Sequence, residues 1–246
     1  MPLGEDGKLP AAHGNQNATA MKRITVLLAD DHTIVREGFR HMLALETDFE
    51  VIGEAADGRQ AFALAVKLRP DVVLMDIAMP RINGLEATRQ VLKALPSTKV
   101  IMLSSHNDDA RVETAINSGA AGFLFKQTSA LEVCQAIREV HQGKTIFSPA
   151  IAKRFSRLHP RLPGRAEMLK PALSQLTSRQ MEVLQLIAEG KANKQMAAEL
   201  GIGIKTVEKH RGHVMQKLDI HDTAGLTRYA ISAGIVENTG HLAIKQ

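Results

Sequence analysis

Residues 24–45 read ITVLLADDHTIVREGFRHMLAL: a short apolar run, an acidic pair, then a segment whose apolar positions recur at helical spacing. The same unit returns four times. FEVIGEA at 49–55 precedes a helical pattern over 58–68, DVVLM at 71–75 precedes 84–94, KVIML at 99–103 precedes 109–118, and AGFLF at 121–125 precedes 128–142. Five consecutive strand–helix units imply a parallel sheet covered by helices on both faces, because parallel neighbours need crossover connections and these are right-handed. The length and strand count suit an α/β flavodoxin-like fold of five parallel strands in the order 2-1-3-4-5.

Working outward, residues 1–20 carry no apolar period and read as a disordered extension, with Met21 a candidate natural start; the front domain then covers 21–143. Residues 144–172 contain seven Lys and Arg against one acid, together with Pro149, Pro160, Pro163, Gly164 and Pro171. They read as a basic linker with one short helix near 149–157. From 173 to 240 only helical patterns follow, at 177–188, 193–200, 205–218 and 224–233, which implies an all-α four-helix domain. Thr177 and Gln180 stand at capping-box spacing at the first of these, and Gly201-Ile202-Gly203 separates the second and third by a tight turn.

The 246 residues carry a net charge of +5, but unevenly: residues 24–143 hold 12 basic against 16 acidic groups, and the linker and back domain supply the positive excess. An acidic front beside a basic back half has the charge signs that electrostatic masking of the back domain would need. With no Trp and one Tyr, stacking platforms for single strands are scarce, so nucleic-acid binding has to use a duplex groove. Cys134 is the only cysteine, which excludes an internal disulfide and a Cys-based zinc site; it falls in the apolar pattern LEVCQAI and reads as a core residue. No run is long and apolar enough to cross a bilayer, so a cytoplasmic protein without membrane insertion is expected.

Ligands of open parallel sheets sit beyond the carboxyl ends of the strands. Four of the five strands end there in related polar groups: Asp30-Asp31, Asp76, Ser104-Ser105 and Lys126. Singly, Asp31 and Asp76 suit helix caps or turns, and Lys126 an ordinary surface charge. Jointly, three carboxylates on one edge repel one another unless a hard cation joins them, and an oxygen-only site that retains water is what Mg²⁺ prefers. A divalent metal site is therefore predicted. His32 and His106 flank it as rim residues.

ITVLLADDH, VVLMDIAMPRINGLEA, VIMLSSH and GAAGFLFK resemble the receiver domain of two-component response regulators, over about residues 23–143. The resemblance implies that Asp76 is the phosphoacceptor, taking its phosphoryl group from a sensor histidine kinase. It also implies that Asp30, Asp31, Asp76 and the backbone carbonyl of Ala78 serve Mg²⁺, Asp30 mostly through water. Lys126 would pair with the phosphoryl group, Ser104 would donate its hydroxyl to it, and Phe123 would change rotamer as the neighbouring loop closes. Gln127 stands where many relatives have Pro, which leaves the following turn less fixed.

In the back domain, residues 193–217 form a helix-turn-helix whose last helix carries Lys205, Thr206, Lys209, His210, Arg211, His213 and Lys217 against the single acid Glu208. That face suits a phosphate backbone and base edges. His210 and His213 lie one helical turn apart, but no third nitrogen or thiolate accompanies them for zinc. LTxRQxEVLxLIAxGxxNKQxAxxLxIxxxTVExH resembles the LuxR-type helix-turn-helix; joined to a receiver, it implies the NarL/FixJ subfamily. Ala192 and Gly203 stand where Ser often caps a helix, so Asn193 is expected to take over one cap. Gly225 is expected to weaken the last helix and with it a DNA-free dimer.

The combination reads as a phosphorylation-gated transcriptional regulator binding double-stranded promoter DNA, as a homodimer when phosphorylated or DNA-bound, with RNA polymerase a further partner class. The alternative is a DNA-binding regulator whose receiver is an unphosphorylated platform. An aspartyl-phosphate phosphatase is disfavoured, since that chemistry wants an acid two residues after the nucleophile and Ala78 stands there. Ala78 also orients no attacking water, so a long-lived phosphoryl group is expected. Ala78→Asn should shorten its half-life or leave it unchanged in a decay assay, and a lengthened half-life would overturn this reading.

Overall fold

A computed structural model describes residues 23–105, 109–147 and 176–236. The extension at 1–20 and the short helix near 149–157 lie outside these residues. In the front domain, β1 (Ile24–Ala29), β2 (Phe49–Ala55), β3 (Val72–Asp76), β4 (Lys99–Ser104) and β5 (Gly122–Phe125) alternate with α1 (Thr33–Ala44), α2 (Gly58–Leu68), α3 (Gly84–Ala94), α4 (Asp109–Asn117) and α5 (Ala130–His141). All neighbouring strands are parallel, in the order β2-β1-β3-β4-β5.

The period of two along each strand divides the core into two layers. Leu27, Val73, Met75, Val100, Met102 and Phe123 point to one face, where Ala61, Ala65, Ala87 and Val91 of α2 and α3 meet them. Val26, Leu28, Leu74, Ile101 and Leu103 point to the other, against Leu43 of α1 and Val133, Ile137 and Val140 of α5. Cys134 belongs to this second layer, as its pattern predicts. β3 is central and buried at every position. Past α5 the chain runs beside β5, where the Phe123 amide donates to the Ile146 carbonyl and the Ile146 amide to that of Ala121.

The back domain consists of α6 (Ser178–Ala188), α7 (Asn193–Leu200), α8 (Ile204–Leu218) and α9 (Thr223–Ser232). Leu184, Ile187, Met196, Val207, Val214, Leu226 and Ala230 form its core. Thr177 and Gln180 make the capping box at α6, and Gly201 closes α7 in the left-handed region at φ 63°. Two expectations change. Ala192, not Asn193, occupies the cap of α7: its amide donates to Gln195 Oε1, while the side-chain Oδ1 of Asn193 accepts from Arg211. Gly225 lies in the first turn of α9, where the Asp222 carboxylate accepts from its amide and a Cβ would approach Ile220 Cγ2 to 2.7 Å. Its lack of a side chain serves the cap, so it is no reason for a weak helix.

Residues 77–83, between β3 and α3, are clamped by two glycines. The Gly84 amide donates to the Ile77 carbonyl, and a Cβ on Gly84 would lie 1.9 Å from the carbonyl oxygen of Asp76. Gly58 donates to the Ile82 carbonyl with equally little room. Arg81 adopts φ 67° at the apex, and its guanidinium meets the buried Asp57 carboxylate at 3.0 Å while that carboxylate caps α2. Gly84→Ala should therefore destabilise the protein by about 3 kcal/mol or more, because backbone must move to admit the methyl group. Urea denaturation checks this, with Gly143→Ala, where a Cβ meets nothing within 4 Å, as a control for backbone strain without a clash.

Candidate functional site

The parallel registers bring the polar strand ends together. Asp76 is the last residue of β3 and pairs with Leu103, Ser104 ends β4 beside Phe125, and the Lys126 amide donates to the Ser104 carbonyl. Lys126 Nζ then reaches back across the edge, 2.8 Å from Asp30 Oδ2 and 3.0 Å from Asp76 Oδ2. Neither buried oxygen has another hydrogen-bond donor among the described residues. Asp31 lies at the rim with its Oδ1 2.8 Å from His32 Nδ1, and the His32 amide donates to Asp30 Oδ1. The capping reading of the acids does not hold: His32 occupies the cap of α1 and Asn83 that of α3.

Burial, then the neighbouring Asp30 charge, push the Asp76 pKa up to about 7 against the pull of Lys126. Burial opposes the Lys126 charge as well, but Asp76 and Asp30 outweigh it and hold the ammonium above its ordinary pKa. The edge therefore carries more negative charge than one lysine relieves. Ligand atoms of Asp30, Asp31, His32 and Asp76 lie within 4.8 Å of one another, a spacing that a single cation can span. The donor set is dominated by oxygen, as a hard divalent ion requires. His32, taken from sequence as a rim residue, is exposed there yet belongs to this cluster; His106 lies outside the described residues.

Ser104 is buried at the strand end, and Phe123 is buried two strands from Asp76 with its ring edge-on to Phe125, centroids 5.6 Å apart. Ala78 is half-buried in the clamped loop.

On α8 the seven sequence candidates divide. Lys205, Thr206, Lys209 and Lys217 are exposed. Gly212 and Gln216, which the reading of charge passed over, continue the same outward stripe at spacings of three and four. His213 is half-buried beside it. His210 is also half-buried, its Nδ1 without a hydrogen-bond partner among the described residues, and burial and then Arg179 lower its pKa. Arg211 bonds the Thr223 hydroxyl and reaches the Asn193 amide, and Lys217 Nζ donates to Gln180 Oε1. These two cations hold α8 to its own domain. The outward stripe is exposed to solvent, so among the described residues the front domain does not cover it.

Residues 26–138 match the family model of the response regulator receiver domain, and residues 174–230 that of the bacterial regulatory proteins of the luxR family. The response regulator protein VraR of Staphylococcus aureus is 37% identical over 214 residues, spanning 87% of this chain and 99% of that one. The chain is a response regulator of the NarL/FixJ type. Among solved structures, this response regulator is similar to a LuxR-family two-component regulator from Aurantimonas, at 31% identity and a TM-score of 0.52 over 57% of this chain and all of that one. It shares its fold with RcsB of Salmonella typhimurium, at 24% identity and a TM-score of 0.57 over 87% and 99% of the two chains. No described helix of the regulator is long and apolar enough to cross a membrane.

The raised Asp76 pKa fixes a sign for stability. Below the unfolded value near 3.8 the group is neutral in both states; between there and about 7 the unfolded chain ionises first, so stability falls as pH rises, and the cost is complete above 7. Asp76→Asn should stabilise the metal-free regulator by about 1–3 kcal/mol at pH 8, and by less at pH 5. Urea titrations in chelator at the two pH values check this, and an advantage that shrinks with pH would contradict it.

Proposed function

We propose that this regulator accepts a phosphoryl group on Asp76 from a sensor histidine kinase and answers by changing how its helix-turn-helix engages double-stranded promoter DNA. The observation that carries the reading is the Lys126 ammonium held within 3.0 Å of both Asp30 and Asp76 at the closed end of the acidic edge. In the transfer, an Asp76 carboxylate oxygen forms the new bond to phosphorus as the bond from phosphorus to the imidazole nitrogen of the kinase breaks, and the electron pair leaves with the imidazole. The protein has little covalent work to do; it positions and neutralises. Asp30, Asp31, Asp76 and the Ala78 carbonyl would hold Mg²⁺, with His32 beside them, and the ion would neutralise charge on the phosphoryl oxygens. Lys126 would turn from the Asp76 carboxylate to the phosphoryl group that replaces it.

Ser104 would donate its hydroxyl to a phosphoryl oxygen, drawing the end of β4 inward, and Phe123 would reorient with it. Lys205, Thr206 and Lys209, with His213 at their edge, would face the DNA groove, His210 would contribute from its half-buried place, and Arg211 and Lys217 would act through the frame they hold. A homodimer formed on phosphorylation or on DNA would present two such helices to paired half-sites, where RNA polymerase could be contacted.

The experiment is intact mass after incubation with Mg²⁺ and acetyl phosphate, for wild type and Asp76→Asn, with each sample passed over DNA. An adduct on wild type alone, with a gain in DNA retention, is expected. DNA retained equally without any adduct would favour the unphosphorylated platform.

A further inference from the structure

We propose that Glu208 is a residue by which α8 reads sequence: its carboxylate accepts a hydrogen bond from the N4 amino group of one cytosine in the major groove, and Gly212 lets the helix come close enough for it to do so. The proposal rests on the groove-facing role given above to Lys205, Thr206 and Lys209. Positions 205, 208, 209 and 212 follow the spacing of one helix face, and all four are exposed. Two of them bear cations, as a surface laid against phosphates requires. Glu208 breaks that pattern. Its side chain makes no hydrogen bond or ion pair among the described residues, whereas Glu182 of α6 and Glu199 of α7 are paired with Arg179 and Lys191. Nothing inside the described domain uses its charge.

A carboxylate on this face is repelled by every phosphate it passes, so it helps binding only where it meets a hydrogen-bond donor. The floor of the major groove offers two, the amino groups of cytosine and adenine. On adenine the amino group stands beside the N7 acceptor, an arrangement that suits an amide, able to give and to take, and opposes a carboxylate, which only takes. On cytosine the amino group is the one polar group the base presents there. The guanine paired with it shows O6 and N7, acceptors for the ammonium of Lys205 or Lys209. An acid and a lysine side by side thus fit the two halves of one C·G pair.

Gly212 is the second anomaly of the same face. It stands inside α8, where glycine is the poorest helix former after proline; its φ lies outside the left-handed region, and a Cβ there would meet nothing within 4 Å. The fold neither needs glycine at this place nor gains stability from it. One helical turn after Glu208, the missing side chain removes bulk that would hold the helix away from the base edges, and close approach of backbone to a ligand is a use to which glycine is suited. A carboxylate on two methylenes reaches less far than the lysines beside it, so Glu208 is the residue that depends most on this approach.

The test presents the full chain, in Mg²⁺ and acetyl phosphate, with duplexes of randomised sequence, and compares what is retained by wild type, Glu208→Gln, Glu208→Ala and Gly212→Ala, each verified as folded by circular dichroism. Matched and singly changed duplexes are then titrated by fluorescence anisotropy. Wild type should select C·G at one position of each half-site and bind about tenfold more weakly when that pair is changed. Glu208→Gln should move the preference at that position from cytosine to adenine, and Glu208→Ala should erase it. Gly212→Ala should melt at a higher temperature yet bind the selected duplex about tenfold more weakly, with its affinity for random DNA unchanged. Removing an acid that is merely solvated would instead raise affinity for every sequence alike and leave the selected sequence as in wild type; that result would overturn the assignment of Glu208. A Gly212→Ala form that binds the selected duplex as tightly as wild type would overturn the role of the glycine. If no form retains any duplex, wild type included, the groove-facing reading of α8 falls first and this one with it.

Discussion

Everything at the working end of this protein depends on one ammonium group surrounded by carboxylates. Lys126 Nζ sits between Asp30 and Asp76 in a place where each charge alone would be expelled to water or neutralised. A buried pair of acids and a single lysine leave an uncompensated negative charge, which appears as a protonation equilibrium of Asp76 near neutrality. The metal-free site is thereby poised to exchange a proton for a larger positive charge. The same imbalance makes the carboxylate a poor resident of the edge until a cation shares its burden.

That arrangement exists because of strand order. β1 and β3 are neighbours although β2 comes between them in sequence, so Asp30 and Asp76 end on the same edge, and β4 next to β5 brings Lys126 beside Ser104. The two glycine contacts at 58 and 84 hold the loop after Asp76 against both α2 and the strand end. A loop held so tightly has few ways to answer a change at Asp76. Its far side, at Met79 and Asn83, is bonded to Gln185 of the other domain.

How legible this was depended on whether the signal was local. The short apolar runs ITVLLA, FEVIGEA, VVLM and KVIML, each followed by a segment of helical period, carried the sheet because such a run needs no partner to be read, and the observed strands follow them within a residue. The acidic edge was legible because its residues sit at strand ends, whose juxtaposition follows from topology. Gln185 was not, because nothing in EVLQLIA tells a buried polar position on an interface from an exposed one on a free helix. The split among the cations of α8 was hidden for a related reason. Arg211 and Lys217 have the right charge at the right spacing, and only their partners Thr223, Asn193 and Gln180, distant in sequence, engage them within their own domain.

This engagement sets how little each domain alone offers to DNA. With Arg211 and Lys217 engaged at home, the outward stripe of α8 offers Lys205 and Lys209 beside Glu208, and residues 173–246 hold only nine basic against seven acidic groups. Phosphate contacts dominate non-specific affinity, so one such domain alone gains little from DNA. Two domains on paired half-sites gain twice the contacts while the second binding event becomes effectively intramolecular. So small a charge on each domain rewards paired contacts over a single one.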